Sequence, residues 1–383
     1  MEFEPVSVAA ERMGVTVRAV QKWAASGKIP GAVKTGGVWM IPAGAENVAK
    51  PRFEIPMPVM NLAFPLGKCD KLIDDFSDKD LRNIARAEYS YFKGNAEEAA
   101  RIAEPYLSSN RPALRFSAAF VCAFANLSLG HLHLSHYAME QVLEMIEEDE
   151  EEGTSREIEA IGILTQTAIG VILHIPEKSS LPLEDYVKYI PGGLKMFALY
   201  VLSHRAYLKK DYSRAVGIAE TALVCSSKVF PIAFIYCHIM AAVCNSKIGE
   251  NERAKEHLRK AWALAEKDNL IGPFAEHFEM KSELTEEVIR KESPLAYAEI
   301  LIASDRFFAG WKKTHRSVTD KNISDKLTQT ETTVAMLHHR NWQIGDIAEQ
   351  MQITERTVHN HIQIIYAKLG VTNKEEFEKY MTH

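Results

Sequence analysis

Apolar positions recur along this chain mostly at the helical period. Toward the C-terminal end Val334 and Leu337 share one face, Ile344, Ile347, Ala348 and Met351 a second, and Val358, Ile362, Ile365 and Leu369 a third. Such spacings predict amphipathic helices, the third over about Glu355 to Leu369. Thr328 with Glu331 forms a capping box before the first, and Gly370 stops the third. Lys374 to Met381 makes a fourth through Phe377 and Met381. In the long middle, 67–311, small residues recur at Ala99, Ser135, Ala215 and Ala254. Each has a small partner twelve positions earlier, at Ala87, Ala123, Ser203 and Ala242. The wide interval between Ser135 and Ala215 leaves room for one degenerate unit, Glu157 to Tyr189. One stretch departs from the helical pattern: Val33-Lys34 and Val38 to Ile41, around Thr35-Gly36-Gly37, predict a β-hairpin. The fold class is therefore mostly α.

Composition breaks the pattern twice. Pro42, Pro51, Pro56, Pro58 and Pro65 each fix φ and remove a donor, so Ala43 to Leu66 reads as an extended connector, free or draped on the next domain, with neither helix nor central strand. Lys312 to Lys326 is polar and without clear periodicity, and reads as a linker. The resulting division is a head at 1–48, a Pro-rich linker at 49–66, an all-helical middle at 67–311, a linker at 312–323 and a tail at 324–383. The acidic run Ile146 to Gly153 reads as a solvated loop, or else as a shield for a basic partner surface.

Head and tail share a pattern. Ala10 to Gln21 lines up without gaps on Ala348 to His359, with Ala, Glu, Met, Thr, Arg and Val at matching offsets. The physical content is a helix-turn-helix. Ala10 or Ala348 lets two helices cross closely, Gly14 or Gln352 makes the turn, Val15 or Ile353 plugs the core, and Thr16 or Thr354 caps the next helix. Val20 and Val358 form the inner face of that second helix, which in the head runs from Val17 to Ala25.

Several resemblances follow from these residues. With Ser26-Gly27-Lys28-Ile29-Pro30 and Trp39-Met40-Ile41-Pro42 after the second helix, Val6 to Pro42 resembles the MerR-like and excisionase-like winged helix-turn-helix domains. That resemblance implies a second helix in the major groove with Thr16, Arg18, Gln21 and Lys22 toward DNA, and Lys34 on the wing. Trp39 is expected to pack against the helices. The tail resembles the LuxR-type helix-turn-helix through Leu327-Thr328 with Glu331, Asp346-Ile347-Ala348, Ile353-Thr354, Thr357-Val358, His361 and Lys368-Leu369-Gly370-Val371. This implies Thr354, Arg356, His359, Asn360, Gln363 and Lys368 as DNA-facing residues. It also implies a homodimer through the fourth helix at Asn373, Lys374, Phe377 and Tyr380. The tail departs from that family at Thr330, Asn341, Gly345 and His359, and the last two replace basic groups that the family turns toward DNA. The middle resembles tetratricopeptide repeats, period ~34. Together the middle and tail resemble MalT-like regulators without their nucleotide-binding module.

Charge adds little to this picture. There are 45 Lys plus Arg against 51 Asp plus Glu, a net charge of −6. Residues 1–50 hold six basic and four acidic groups, modest for a DNA binder. No Walker A run, Gly-x-Ser-x-Gly, His-Glu-x-x-His or Cys-x-x-Cys is present, so neither an enzyme nor a cofactor is expected. No metal is expected either. His131, His133 and His136 sit among structural leucines, His338, His339, His359 and His361 lack a zinc spacing, and Cys237, His238 and Cys244 suit a core helix. Five scattered Cys suggest reduced thiols and a cytoplasmic address. No membrane span or signal peptide is expected. The reading is a sequence-specific transcription regulator on double-stranded DNA. Its middle is a sensor for a small molecule or protein, a dimerisation element or a partner-binding module. The competing reading is a protein–protein adaptor whose helix-turn-helix units no longer bind DNA tightly.

Overall fold

In the head, β1 (Phe3–Pro5), α1 (Val6–Met13), α2 (Val17–Ala25), β2 (Val33–Thr35) and β3 (Val38–Pro42) follow in order. The computed structural model describes residues 3–13, 15–45, 55–152, 156–173, 181–280, 282–318, 327–339, 342–351 and 353–377. Gly14, Asn341, Gln352, Tyr380 and Met381, singled out above, lie outside them. Gly36 and Gly37 take φ of 59° and 85°, as a tight two-residue hairpin loop requires. The sequence reading missed β1. Its three residues include Pro5 and carry almost no strand signal, yet they pair antiparallel with β3, Glu4 opposite Ile41, in the order β1-β3-β2. Pro5 is tolerated because β1 is an edge strand. Ala9, Ala10, Val15, Val20, Trp23 and Ile41 form the buried core, with Trp39 half-buried against it.

The middle opens on single turns at α3 (Pro58–Asn61) and α4 (Cys69–Asp74). Helical hairpins follow: α5 (Lys79–Phe92) with α6 (Ala96–Ala103), then α7 (Pro112–Ser128) with α8 (Leu132–Glu152). After α9 (Arg156–Ile172) and the one-turn α10 (Leu183–Tyr186) come α11 (Gly192–Leu208) with α12 (Tyr212–Val224) and α13 (Pro231–Lys247) with α14 (Asn251–Ala265). Short α15 (Gly272–His277) and α16 (Ser282–Thr285) lead into the long α17 (Pro294–Val318). The eight small residues spaced by twelve are all buried. At two of the crossings they meet directly. Ser135 Oγ donates to Ala123 O and Ser203 Oγ to Ala215 O, each at 2.7 Å. A small side chain there lets the backbones approach, and a serine satisfies its own hydroxyl in doing so.

Three expectations need correcting. From residue 55 onward the Pro-rich stretch lies on the middle, as a draped connector would, but it holds a helical turn, α3, where none was expected. Met57, Val59, Met60 and Phe64 are buried in the core of the middle. Pro58 opens α3, where its missing N–H costs nothing. Ser117 Oγ accepts from Met57 N at 2.7 Å, and Glu88 Oε2 accepts from Val59 N and Met60 N at 3.0 and 3.2 Å. The second linker does not begin at residue 312, because α17 runs on to Val318. That helix is held by buried Trp311 and by Gly310, where a Cβ would stand only 1.7 Å from Leu127 O of α7. The acidic run is not a loop, since α8 continues through it to Glu152. The degenerate unit keeps its first helix, α9, but among the described residues its second is reduced to α10 and a 3-10 turn.

In the tail, α18 (Gln329–His339), α19 (Ile344–Met351) and α20 (Glu355–Leu369) appear where the periodicity places them. They close over Leu327, Val334, Leu337, Ile347, Val358, Ile365 and Leu369. Gly370 ends α20 at φ 72°. Residues 374–377 form a last helical turn. Among the described residues no helix is long and apolar enough to cross a membrane.

Candidate nucleic-acid interface

The gapless match between the ends corresponds to one closing hydrogen bond and one helix cap found at both. Val15 N donates to Ala10 O and Ile353 N to Ala348 O, each at 3.0 Å. Thr16 Oγ1 accepts from Ala19 N at 3.1 Å, and Thr354 Oγ1 from Thr357 N at 3.2 Å. The two caps have nearly identical backbones, φ −73° and ψ 154° against φ −75° and ψ 152°. Each cap satisfies one of the orphan donors of the following helix and fixes its entry angle.

The helix that follows each cap shows a polar outer face. In α2, Arg18, Gln21 and Lys22 are exposed, while Ala19, Val20 and Trp23 are buried. In α20, Arg356, His359, Asn360 and Gln363 are exposed, with Val358 and Ile365 inward. Arg18 and Arg356 are each the second residue of their helix, the end that reaches base edges when such a helix enters a major groove. Lys34 lies on β2, its Nζ over the Trp39 ring at 5.9 Å. Thr16 and Thr354 lie at the same helix starts, with their hydroxyls engaged as caps.

Two assignments change. Lys368 is engaged within the fold, because its Nζ lies 2.9 and 2.7 Å from the two carboxylate oxygens of buried Glu331. Glu331 also accepts from Thr328 N at 2.7 Å, so the expected capping box is present and carries an added ion pair to α20. Burial pushes the Glu331 carboxyl up, but Lys368 and the two Thr328 contacts outweigh it and hold it below the ordinary carboxylate value. A pairing across 37 residues leaves no local spacing signal. We expect Lys368→Met to destabilise the tail by about 1–2 kcal/mol at neutral pH. The loss should shrink on acidification through the carboxylate range, where protonated Glu331 no longer needs a cation; thermal melts at stepped pH check this. Phe377 is the second change. It is fully buried, ring centroids 5.3 Å from Tyr366 and 5.4 Å from His338, so it belongs to the tail core and offers no dimer surface. Asn373 Oδ1 accepts from Glu376 N at 2.9 Å and caps the last turn. Lys374 is exposed, and Tyr380 is outside the described residues.

Both ends meet the helical body through the first helix of the pair and, in the head, through the turn that follows it. Glu349 of α19 meets Lys247 Nζ at 3.0 Å, and Asp346 pairs with Lys210. At the other end Glu11 of α1 meets Lys188 Nζ at 3.5 Å, and Arg156 Nε donates to Val15 O at 2.9 Å. Glu11 and Glu349 occupy the same place in the gapless match. Exposed pairs of this kind contribute little each; their geometry matters because it leaves Arg18 and Arg356 at the surface. The match displayed these glutamates, but nothing in the sequence marked them as contacts.

Residues 325–381 match the family described as bacterial regulatory proteins, luxR family. The tail is a LuxR-type helix-turn-helix, a DNA-binding regulatory module without catalytic function. No curated protein and no solved structure matches the chain. Among the described residues no group of His, Cys, Asp or Glu could hold a metal ion. All five cysteines are free thiols, buried except Cys225.

Proposed function

We propose that this chain is a sequence-specific transcription regulator that reads double-stranded DNA with both ends. The LuxR-type tail reads through Thr354, Arg356, His359, Asn360 and Gln363. The head acts as a MerR/excisionase-like winged helix-turn-helix through Thr16, Arg18, Gln21, Lys22 and Lys34. The tetratricopeptide-like middle carries both and serves as the sensor. The observation that carries this reading is the repeated turn: one cap geometry, one closing hydrogen bond and one exposed arginine, at both ends of one chain. A homodimer through the exposed side of the last helix, at Lys374, brings two such pairs to one operator.

An adaptor reading has its own support. Gly345 and His359 stand where the LuxR family places basic groups, and Lys368 is committed to Glu331. Selection of genomic fragments by the full chain at ~50 mM salt separates the two, since phosphate contacts strengthen as salt falls. The regulator reading expects one enriched motif with two-fold symmetry. Fragments without any common motif favour the adaptor. Light scattering with and without the selected DNA reports the dimer, and a monomer in both states removes it.

A further inference from the structure

Four helical hairpins of the body close with the same turn. Asn95 N donates to Ser90 O at 2.9 Å, His131 N to Asn126 O at 2.9 Å, Asp211 N to Ala206 O at 3.0 Å and Glu250 N to Asn245 O at 2.8 Å. The residue before each donor takes the left-handed backbone conformation. It is Gly94 at φ 77°, Gly130 at 73° and Gly249 at 87°, but Lys210 at 61°. Glycine adopts this conformation freely, whereas a Cβ crowds its own backbone there. Three turns use the residue that the geometry asks for, and the turn from α11 to α12 does not. A side chain kept at a strained backbone position points to a use for that side chain.

The Lys210 ammonium reaches out of the repeat. It pairs with Asp346 of α19, the first helix of the tail's helix-turn-helix. Glu349 lies three residues on, along the same face of α19, and meets Lys247 Nζ at 3.0 Å. Lys247 ends α13, two residues before Gly249, so both lysines stand at the same end of adjacent hairpins. Tyr207 and Tyr212 lie on either side of Lys210 in the chain, ring centroids 5.6 Å apart. Burial raises the pKa of both hydroxyls, and Asp346 and Glu349 raise them further, so the two carboxylates lie within electrostatic reach of one pair of rings. The rest of the seam is not closely packed. Phe308 and Trp311 of α17 and Leu337, Trp342 and Met351 of the tail line a cavity of about 290 Å³. Interlocked side chains fix an orientation, and a seam opened by such a cavity interlocks less. The two ion pairs supply the directional contacts.

We propose that Lys210 is a positioning residue, which together with Lys247 clamps the DNA-binding tail to the body in one orientation. The turn carries a lysine against its own backbone preference because the side chain serves the tail. The clamp is made through α19, and Arg356, His359, Asn360 and Gln363 of α20 stay exposed. A tail so held keeps α20 at one distance from α2. The regulator reading then expects one fixed spacing between the sites of the two ends; that consequence rests on the reading, whereas the clamp does not.

The test is a spin-label distance measurement on the full chain without DNA. One nitroxide sits on Cys225 of the body, which is exposed while the other four cysteines are buried. The second sits on Ala367→Cys, an exposed position of α20. The otherwise unaltered chain should give a single narrow distance peak. Lys210→Gly combined with Lys247→Met should lose that peak to a broad distribution. Lys210→Gly alone should leave the denaturant midpoint of the body unchanged or raised, since glycine suits the turn. Asp346→Lys should also broaden the distances. Adding Lys210→Asp should restore the narrow peak, because aspartate tolerates a left-handed backbone and the pair is re-formed with its charges exchanged. A narrow peak that survives the double lysine variant overturns the proposal, as does a broad distribution in the unaltered chain. So does failure of the exchanged pair to narrow it, or a lowered midpoint in Lys210→Gly, which would make the lysine a part of its own repeat. With no DNA in the measurement, failure of the regulator reading leaves the result standing.

Discussion

Replacing Glu88 by Ala should destabilise the helical body by about 2–4 kcal/mol, while Glu88→Gln should be tolerated. Glu88 is fully buried on α5, and one of its oxygens accepts both Val59 N and Met60 N. Alanine leaves two buried backbone donors without an acceptor, at about 1–3 kcal/mol each, and opens a cavity beneath α3. The loss is smaller than the sum because the carboxyl itself is costly to bury. Burial raises its pKa well above the ordinary value, and the second oxygen meets no donor among the described residues. Glutamine keeps the acceptor without the ionisable group. The sign with pH follows. A raised folded pKa means that the folded chain holds a proton the unfolded chain releases. The wild type therefore loses stability as pH rises above the carboxylate range, and the glutamine variant does not. Denaturant melts of both variants from pH 5 to pH 8 check this. The glutamine variant should gain on the wild type steadily across that range, and a constant difference sinks the argument.

That interaction also marks where the sequence stopped being readable. Helix positions came from periodicity, and α2, α20 and the paired helices of the middle lie where the spacing places them. Periodicity reports which face is buried, not which distant segment buries it. The five prolines argue correctly against a continuous helix between Pro42 and Pro65. They say nothing of a single turn at Pro58, whose unmet donors are taken up by Glu88 from 28 residues away. A glutamate in an amphipathic helix reads as solvent-facing until the segment lying on it is known. The same reason hid the Glu331–Lys368 pair and β1. In each, the partner is remote and the local segment is too short or too polar to show a period. The candidate DNA face was more legible, because a helix-turn-helix is a local object whose cap, turn and core plug fall within about ten consecutive residues. What could not be read there was competition: whether a basic side chain is available to DNA or already held by a carboxylate of its own domain.

Arg18→Ala and Arg356→Ala should each weaken binding to the selected operator by about 1–3 kcal/mol, and together they should abolish specific binding. The two arginines hold the same place, second in the helix after a threonine cap and exposed, on units that both meet the body. With Lys368 engaged by Glu331 and His359 in place of a basic group, Arg356 is expected to carry more of the tail's affinity than its counterpart would in a more basic domain. The head offers Lys22 and Lys34 in addition to Arg18 but is built on a small core. Neither end should therefore hold an operator alone, and the body that links them supplies the avidity. Salt separates base contacts from phosphate contacts. Losing an arginine that reads a base edge relaxes the motif at one position, whereas losing a phosphate contact weakens all sequences alike and lowers the salt slope by about one. Gel shifts of both single variants and the double variant, at several salt concentrations on the enriched motif, give the answer. If the motif survives Arg18→Ala unchanged and vanishes with Arg356→Ala, only the tail reads DNA. The repeated turn at the head is then a scaffold element, held to α9 by Arg156 and Val15.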